Sequence, residues 1–125
     1  MEDDFWDLFW EARLRSMENQ GKQVAIHAAS RLIRTLSQKM DHPIRLLELG
    51  CGEGQVIGEL MKAHSQLLDR TASLGVDYNP TSLARCRKDY PILQVREANF
   101  KDPPFLRAIG QFEIIILVNV LHEVF

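Results

Sequence analysis

The sequence predicts an α/β domain with a doubly wound, mostly parallel sheet, and three observations support this fold class. The mostly apolar segment 44–49, which includes Glu48, leads into a glycine-rich turn and then into helical spacing at 56–61, which is typical of a strand, a tight turn and a helix N-terminus. A second strand pattern closes on Asp77. The apolar run 114–118 is unbroken, which is typical of a central parallel strand buried on both faces.

The chain of 125 residues can form at most one domain, and it is short for a fold that must cover both faces of a sheet. Hydrophobic residues make up 46% and charged residues 26%, which is typical of a soluble globular protein. No apolar run approaches the roughly 18 residues of a membrane span. The net charge of −2 gives no clear signal for nucleic acid. The acidic start at 1–4 is unlike a signal peptide, so we expect a cytoplasmic protein.

The N-terminal segment 3–18 is aromatic and has helical spacing. Phe5 and Phe9 lie four residues apart, as do Trp6 and Trp10, so each pair can stack along a helix. Two interpretations stay open: this helix packs its aromatic stripe on the main domain, or it forms a lid over a binding site.

A second helix is expected after a break at 19–21. Apolar residues repeat at helical spacing over 25–40, and the segment 41–43 ends the helix because proline disfavours helical geometry at the preceding residue. We therefore predict an N-terminal helical cap over residues 1–42 and a binding core over 43–125.

The core is predicted to alternate strands and helices. Strands are expected at about 44–49, 72–77, 92–96 and 112–119. One helix is expected after the first strand, a second at 80–88 after the second strand, and a helical turn near Leu106. Asn79 and Pro80 suit the cap and first position of the second of these helices. The order βαβαβαβ requires right-handed crossovers. His64 is expected on the surface of the first core helix, which should bury Val56, Ile57, Leu60, Met61, Leu67 and Leu68.

The spacing of the glycines separates two kinds of nucleotide cofactor. A dinucleotide fingerprint read from Gly50 and Gly52 requires a third glycine at position 55, which is Gln55. The third glycine is instead Gly54. Glycine suits this turn because a side chain would obstruct its backbone geometry and the approach of a ligand to the peptide groups.

The pattern of Glu48, Gly50, Gly52 and Gly54, followed by Asp77 at the end of the next strand, resembles the first two motifs of the class I S-adenosylmethionine-dependent methyltransferases. The resemblance runs from about residue 44 to the last residue. It implies a Rossmann-like fold, S-adenosyl-L-methionine as cofactor and methyl transfer. The fold and the cofactor motifs do not identify the acceptor, but the charge balance and the aromatic N-terminal helix favour a small-molecule or amphipathic acceptor over nucleic acid. A complete member would continue with further strands, so the resemblance implies a fold truncated after the fourth strand.

The resemblance also implies roles for individual residues near the first two motifs. Asp77 would accept hydrogen bonds from both ribose hydroxyls, and Glu48 would orient the methionine end of the cofactor. The three glycines would let the backbone approach the cofactor, and Cys51 would contribute a peptide group. Tyr78 either lies against the adenine ring or packs on the protein surface. Cys51 and Cys86 show neither metal-site spacing nor a disulfide framework, so both are predicted to be reduced packing residues.

The later motifs depart further from the family pattern. Asn99 stands where the family often has an aspartate that accepts a hydrogen bond from the adenine amino group, and its amide oxygen keeps an acceptor. Phe100 would flank the ring, and Asn119 would face the methyl end. His122 is either a base toward the substrate or a structural residue, and no metal site is expected because H-E-x-x-H is incomplete.

Two alternative functions remain open at this stage. A nicotinamide-dependent oxidoreductase shares the strand, the turn and the acidic strand end, but it requires Gln55 in place of a glycine. The second alternative is a non-catalytic, methyltransferase-like binding module, or a fragment that needs a partner or a C-terminal half. The outer edge of the fourth strand has five consecutive apolar residues, so we expect the chain either to self-associate through this strand or to be part of a longer protein.

Overall fold

The computed structural model describes residues 18–99 and 103–117, and within these ranges helices and strands alternate after one leading helix. Their order is that predicted from the sequence. The elements are α1 (Glu18–Ser37), β1 (Leu46–Leu49), α2 (Gln55–Ala63), β2 (Leu74–Asp77), α3 (Pro80–Asp89), β3 (Val95–Glu97), α4 (Pro103–Ala108) and β4 (Ile114–Ile116).

The four described strands form one parallel sheet in the order β3-β2-β1-β4. Leu47 of β1 pairs with Leu74 on one side and Ile115 on the other, while Gly75 of β2 pairs with Val95 of β3. The chain thus moves outward from β1 to β3 and then returns across β1 to β4. This reversal creates a topological switch point between β1 and β4, and the predicted doubly wound parallel sheet is confirmed.

Helices cover the two faces of the sheet unequally. The larger core lies beneath α1, α2 and α3, whose buried residues include Ile33, Ile57 and Leu83. The opposite face is centred on Leu47 and Val76, with half-buried residues of α4 and its surroundings packed against them. Right-handed crossovers explain this division. The connections from β1 to β3 run in one direction along the sheet and place their helices on one face, whereas the connection to β4 runs in the opposite direction and places α4 on the other face.

β1 is held at the centre by side chains as well as by its ladder. The Leu46 N–H donates to Oγ of the buried Ser73 at 2.9 Å. At the start of the strand, the Arg45 guanidinium forms an ion pair with Glu113, and the Arg45 backbone N–H donates to Glu113 Oε1 at 2.7 Å. These contacts fix β1 against both neighbouring parts of the chain.

The first helix differs from the prediction at both ends. The predicted break at 19–21 lies inside α1, because tertiary packing of the buried stripe that includes Val24 and Ile33 outweighs the roughly 1 kcal/mol penalty of an interior glycine. The helix ends at Ser37, before the segment 41–43, where Ser37 Oγ donates to the Arg34 carbonyl. Apart from Glu18, the predicted aromatic helix 3–18 lies outside the described residues.

The strands are shorter than predicted, and the burial of the fourth strand differs. Ile44 makes only an isolated bridge to Leu68. In β4, Ile114 and Ile116 are buried but Ile115 is 56% exposed, so the expectation of burial on both faces is wrong for the described part of this strand. The reason is its place at the sheet edge, where the described helices cover only one of its faces.

The end of α2 also departs from the prediction. His64 follows the helix as its C-terminal cap, and its Nε2 lies 2.9 Å from Ser30 Oγ of α1. The imidazole is therefore half-buried between two helices instead of fully exposed, because α1 packs along α2. Burial lowers the pKa of His64. Among the described helices, none is both long and apolar enough to span a bilayer.

Candidate functional site

The turn between β1 and α2 uses all three motif glycines in left-handed conformations. The φ angles of Gly50, Gly52 and Gly54 are 72°, 57° and 83°, a region that other residues enter only with strain. The N–H groups of Gly50 and Cys51 both donate to the Val76 carbonyl, at 2.7 and 2.9 Å. The turn is thus folded back onto the end of β2.

Asp77 connects the end of β2 to the same turn. Its side chain is almost fully buried, and its Oδ2 accepts the Gly52 N–H at 2.8 Å while its Oδ1 accepts the Asn79 N–H at 2.8 Å. A carboxylate offers about four lone-pair sites, so both oxygens keep acceptor capacity after these bonds. Asp77 can therefore buttress the turn and also accept hydrogen bonds from a ligand's hydroxyls.

Glu48 lies beneath the turn with one oxygen unused. Its residue is 0% exposed, and Oε1 accepts the Ile57 N–H at 3.2 Å. Oε2 has no hydrogen-bond partner in the described part of the chain. Burial raises the pKa of Glu48 to about 8, against the lowering effects of the Ile57 N–H and the charge of Lys22. A donor such as an ammonium group or a bound water would satisfy this oxygen.

A cavity of about 60 Å³ that opens to solvent lies against the turn. Across its mouth, Lys22 Nζ donates to Gln55 Oε1 at 2.6 Å. Sequence reasoning did not include Lys22, which has no motif and lies next to the predicted helix break. The sequence pattern drew attention to Gln55 only as the position where a dinucleotide fingerprint requires glycine. The cavity is lined by Lys22, Cys51, Gly52, Glu53, Gln55 and Val56.

The two cysteines lie in the core below the turn. Both Cys51 and Cys86 are free and buried, and a Cβ on Gly54 would collide with Sγ of Cys86. A hydrogen bond with Cys86, together with burial, raises the pKa of the Cys51 thiol. Both side chains pack in the core as predicted, and Cys86 adds a second reason for glycine at position 54.

The remaining predicted residues lie at different distances from this centre. Tyr78 follows Asp77 and is 56% exposed. Asn99 is exposed just after β3, where the Ala98 N–H donates to the Asp77 carbonyl at 3.0 Å. Phe100, Asn119 and His122 lie outside the described residues. The structure brings together Glu48, Gly50, Cys51, Gly52, Gly54 and Asp77 at the carboxyl ends of adjacent parallel strands, next to the switch point.

The sequence is similar to one protein family. A family model described as "Methyltransferase domain" matches residues 47–124, which include the whole glycine turn and Asp77. A comparison with curated proteins gives no significant match.

Several solved structures with a similar fold are methyltransferases. A TehB-like SAM-dependent methyltransferase from Corynebacterium glutamicum is 21% identical with a TM-score of 0.54, over 74% of this chain and 46% of that chain. The plantazolicin methyltransferase BamL, solved with SAH and a substrate analogue, is 19% identical with a TM-score of 0.57, over 87% and 38%. The CurJ carbon methyltransferase is 21% identical with a TM-score of 0.62, over 82% and 29%. The chain therefore spans less than half the length of each of these proteins.

Proposed function

Because the chain belongs to the methyltransferase-domain family, whose model matches residues 47–124, we propose that it binds S-adenosyl-L-methionine at the glycine turn and serves in methyl transfer to a small-molecule acceptor. When bound, this cofactor supplies an activated methyl group on a sulfonium centre. The residues of the chain then need only to bind and orient the reactants, since in-line positioning provides much of the rate.

The observation that carries the proposal is the hydrogen bond between the Gly52 N–H and Asp77 Oδ2. It brings an anionic acceptor and a side-chain-free turn together at the carboxyl ends of β1 and β2, where open α/β sheets bind their ligands. In the proposed complex Asp77 accepts hydrogen bonds from the two ribose hydroxyls. Gly50, Gly52 and the peptide group of Cys51 then lie against the cofactor.

Glu48 fits the methionine end of the same cofactor. Its Oε2 is buried without a partner in the described ranges, and leaving such an acceptor unsatisfied costs about 1–3 kcal/mol. An ammonium group, directly or through a bound water, would remove this cost. The charge of that ammonium would also favour the carboxylate form of Glu48.

The adenine end is proposed to lie between the ends of β2 and β3. Asn99 keeps an amide acceptor for the adenine amino group, and Tyr78 has the exposure that a ring contact with a ligand requires. The roles of Phe100, Asn119 and His122 rest on the family resemblance. We retain the division into a helical cap, 1–42, and a cofactor-binding core, 43–125, and the cytoplasm as the compartment, as parts of this proposal.

A non-catalytic binding module, or a unit that needs a partner, remains the second candidate. The observation that favours it is the apolar, partly uncovered β4, where Ile115 is 56% and Leu117, just beyond the strand, is 41% exposed. A further strand or a partner could cover this surface. The nicotinamide alternative has less support, because Gln55 begins α2 where the fingerprint requires glycine.

Isothermal titration calorimetry of the 125-residue chain with S-adenosylmethionine and S-adenosylhomocysteine tests the proposal. We expect both ligands to bind. Tight binding of NADH, without binding of S-adenosylmethionine or S-adenosylhomocysteine, would contradict the proposal. A methyl-transfer assay against a panel of small acceptors then separates an enzyme from a binding module. Binding without transfer by the short chain, with transfer by a longer natural version, would indicate that the remaining half supplies the acceptor site.

A further inference from the structure

Lys22 is fixed at the mouth of the cavity by helix packing. α1 contacts α2 near both ends of the shorter helix, through Lys22 and Gln55 at one end and through Ser30 and His64 at the other. Buried residues of α1, among them Val24, anchor the helix between these contacts. The ammonium of Lys22 therefore has a defined position beside the glycine turn.

This ammonium has unused hydrogen-bonding and charge capacity. It has three N–H donors, and among the described residues it donates to the neutral amide oxygen of Gln55, at 2.6 Å. Glu53 lines the same cavity, but it is exposed, and solvent screens its charge. The cavity thus contains a cation whose charge no described ion pair neutralises.

The start of α2 adds a second set of donors at the same place. Gly54 at the N-cap contributes no side-chain hydrogen bond, and Glu48 accepts only the Ile57 N–H. The N–H groups of Gln55 and Val56 have no intrahelical partners because they open the helix. The positive end of the helix dipole therefore faces the cavity that these residues line. Lys22 and the helix start together form an electropositive pocket.

The buried carboxyl of Glu48 gives this pocket a polar counterpart. Its Oε1 is bound to the Ile57 N–H in the first turn of α2, and its Oε2 is unpartnered within the described ranges. The unsatisfied acceptor and the electropositive pocket therefore both adjoin the first turn of α2, although Glu48 itself is buried and does not line the cavity. This arrangement complements a zwitterion that carries an ammonium and a carboxylate on one carbon.

We propose that Lys22 binds the carboxylate of the cofactor's amino-acid end, and that it selects intact S-adenosylmethionine over forms that lack this carboxylate. The inference rests on the proposed function and assigns to α1, in the predicted cap, a residue of the binding site. Lys22 acts on affinity and not on chemistry. The Gln55 side chain holds the ammonium in place before the ligand arrives.

Calorimetry with a matched pair of ligands tests this assignment. S-adenosylmethionine and decarboxylated S-adenosylmethionine differ only in the carboxylate, and we expect the wild-type chain to prefer the former by about tenfold to a hundredfold, the range of a charge-assisted hydrogen bond. Lys22→Gln should abolish most of this preference, and Lys22→Arg should keep it. Lys39→Gln, at an exposed lysine beyond the end of α1, is the control and should bind like wild type.

Each outcome decides between defined alternatives. Equal weakening of both ligands by Lys22→Gln, or a preference that survives it, would overturn the assignment while leaving the proposed function intact. Failure of the wild-type chain to bind either ligand would overturn the proposed function, and the inference with it. If Lys22→Gln does not fold, as judged by circular dichroism, the ¹⁵N signal of the Lys22 ammonium in wild type provides the readout. It should shift with S-adenosylmethionine and not with the decarboxylated form.

Discussion

The backbone N–H of Gly52 and the carboxylate of Asp77 are joined by a hydrogen bond of 2.8 Å, so the ligand-facing turn depends on the residue proposed to bind the ribose. The second oxygen of Asp77 accepts the Asn79 N–H at the start of α3. One buried side chain thus positions the elements that follow both β1 and β2. Removing it should affect the shape of the site as well as its contacts.

The first prediction concerns Asp77→Ala. We expect this change to weaken S-adenosylhomocysteine binding by about 2–4 kcal/mol, because it removes a charged acceptor for two hydroxyls and frees the Gly52 N–H. Calorimetry measures the change. Asp89→Ala is the control, since Asp89 is exposed and pairs only with Arg85 among the described residues. An affinity unchanged by Asp77→Ala would exclude the proposed ribose contact.

The second prediction is a pH dependence caused by Glu48. Burial raises the pKa of Glu48 from 4.5 to about 8 in the native state, so between these values the native state holds a proton that the unfolded state has released. The contribution of Glu48 to native stability should therefore be fully present below pH 4.5 and should be lost as pH rises to about 8, by about 1.4 kcal/mol per pH unit. Urea unfolding at several pH values measures the decline, and Glu48→Gln should remove it.

Binding of the cofactor should also depend on the proton that Glu48 holds. If the cofactor's ammonium requires the carboxylate form of Glu48, binding near pH 7 should release a proton from the wild-type chain. Calorimetry in buffers of different ionisation enthalpy detects such a release, and Glu48→Gln should show none. A wild-type binding enthalpy that is independent of the buffer would argue against contact between the ammonium and Glu48.

The third prediction compares two glycines of the turn. Alanine at Gly52 or Gly54 would have to adopt a left-handed conformation, at a cost of about 1–2 kcal/mol. Nothing lies within 4 Å of a Cβ at Gly52, whereas a Cβ at Gly54 meets Sγ of Cys86, which adds about 1–3 kcal/mol of overpacking. Gly54→Ala should thus lower the free energy of unfolding more than Gly52→Ala. The double change Gly54→Ala with Cys86→Ala should remove the steric clash but not the backbone strain. Equal losses of stability in Gly52→Ala and Gly54→Ala would contradict the prediction.

The fourth prediction concerns Glu113 at the junction of β1 and β4. Its hydrogen bonds with Arg45 lower the pKa of Glu113 from 4.5 to about 2, so this group stabilises the native state above pH 4.5. That contribution should decrease as pH falls from 4.5 towards 2, when the native carboxylate takes up its proton. Acid unfolding measured by circular dichroism should begin at a higher pH in Glu113→Gln. Glu97→Gln, at an exposed residue of β3, is the control and should leave the acid transition unchanged.

The fifth prediction concerns self-association through β4. Its outward edge is unpaired within the described sheet, and Ile115 is 56% exposed, so the 125-residue chain should associate at high concentration. Light scattering should show a mass that rises with concentration, and Ile115→Lys should reduce it, because charged side chains oppose edge-to-edge pairing. A monodisperse wild-type monomer with protected β4 amides would mean that another part of the chain covers this edge.

The glycine turn, Asp77 and the order of the elements could be predicted because their signals are local. Three alternating glycines and an acidic strand end determine backbone geometry within a few residues, and the structure agrees with them. The Asn79 cap was recognisable for the same reason, and its side chain accepts the N–H groups of Thr81 and Ser82.

Features that depend on tertiary packing could not be predicted in this way. The start of α1 passes through Gly21 because the buried stripe on this helix is stabilised by α2, which a local break signal does not include. Lys22 approaches Gln55 only when the two helices pack together, although the residues are 33 apart in sequence. The exposure of Ile115 depends on which helices cover β4, and a run of apolar residues does not contain that information.

The contacts of β1 span very different lengths of chain. Leu46 bonds to Ser73, 27 residues away, whereas Arg45 pairs with Glu113, 68 residues away. Closing the longer loop costs more entropy, and non-local pairing slows folding, so we expect the unit from β1 to β2 to assemble before β4 docks. Pulse-labelled hydrogen exchange on refolding should therefore find the Gly52 amide, which donates to Asp77, protected earlier than the amides of β4.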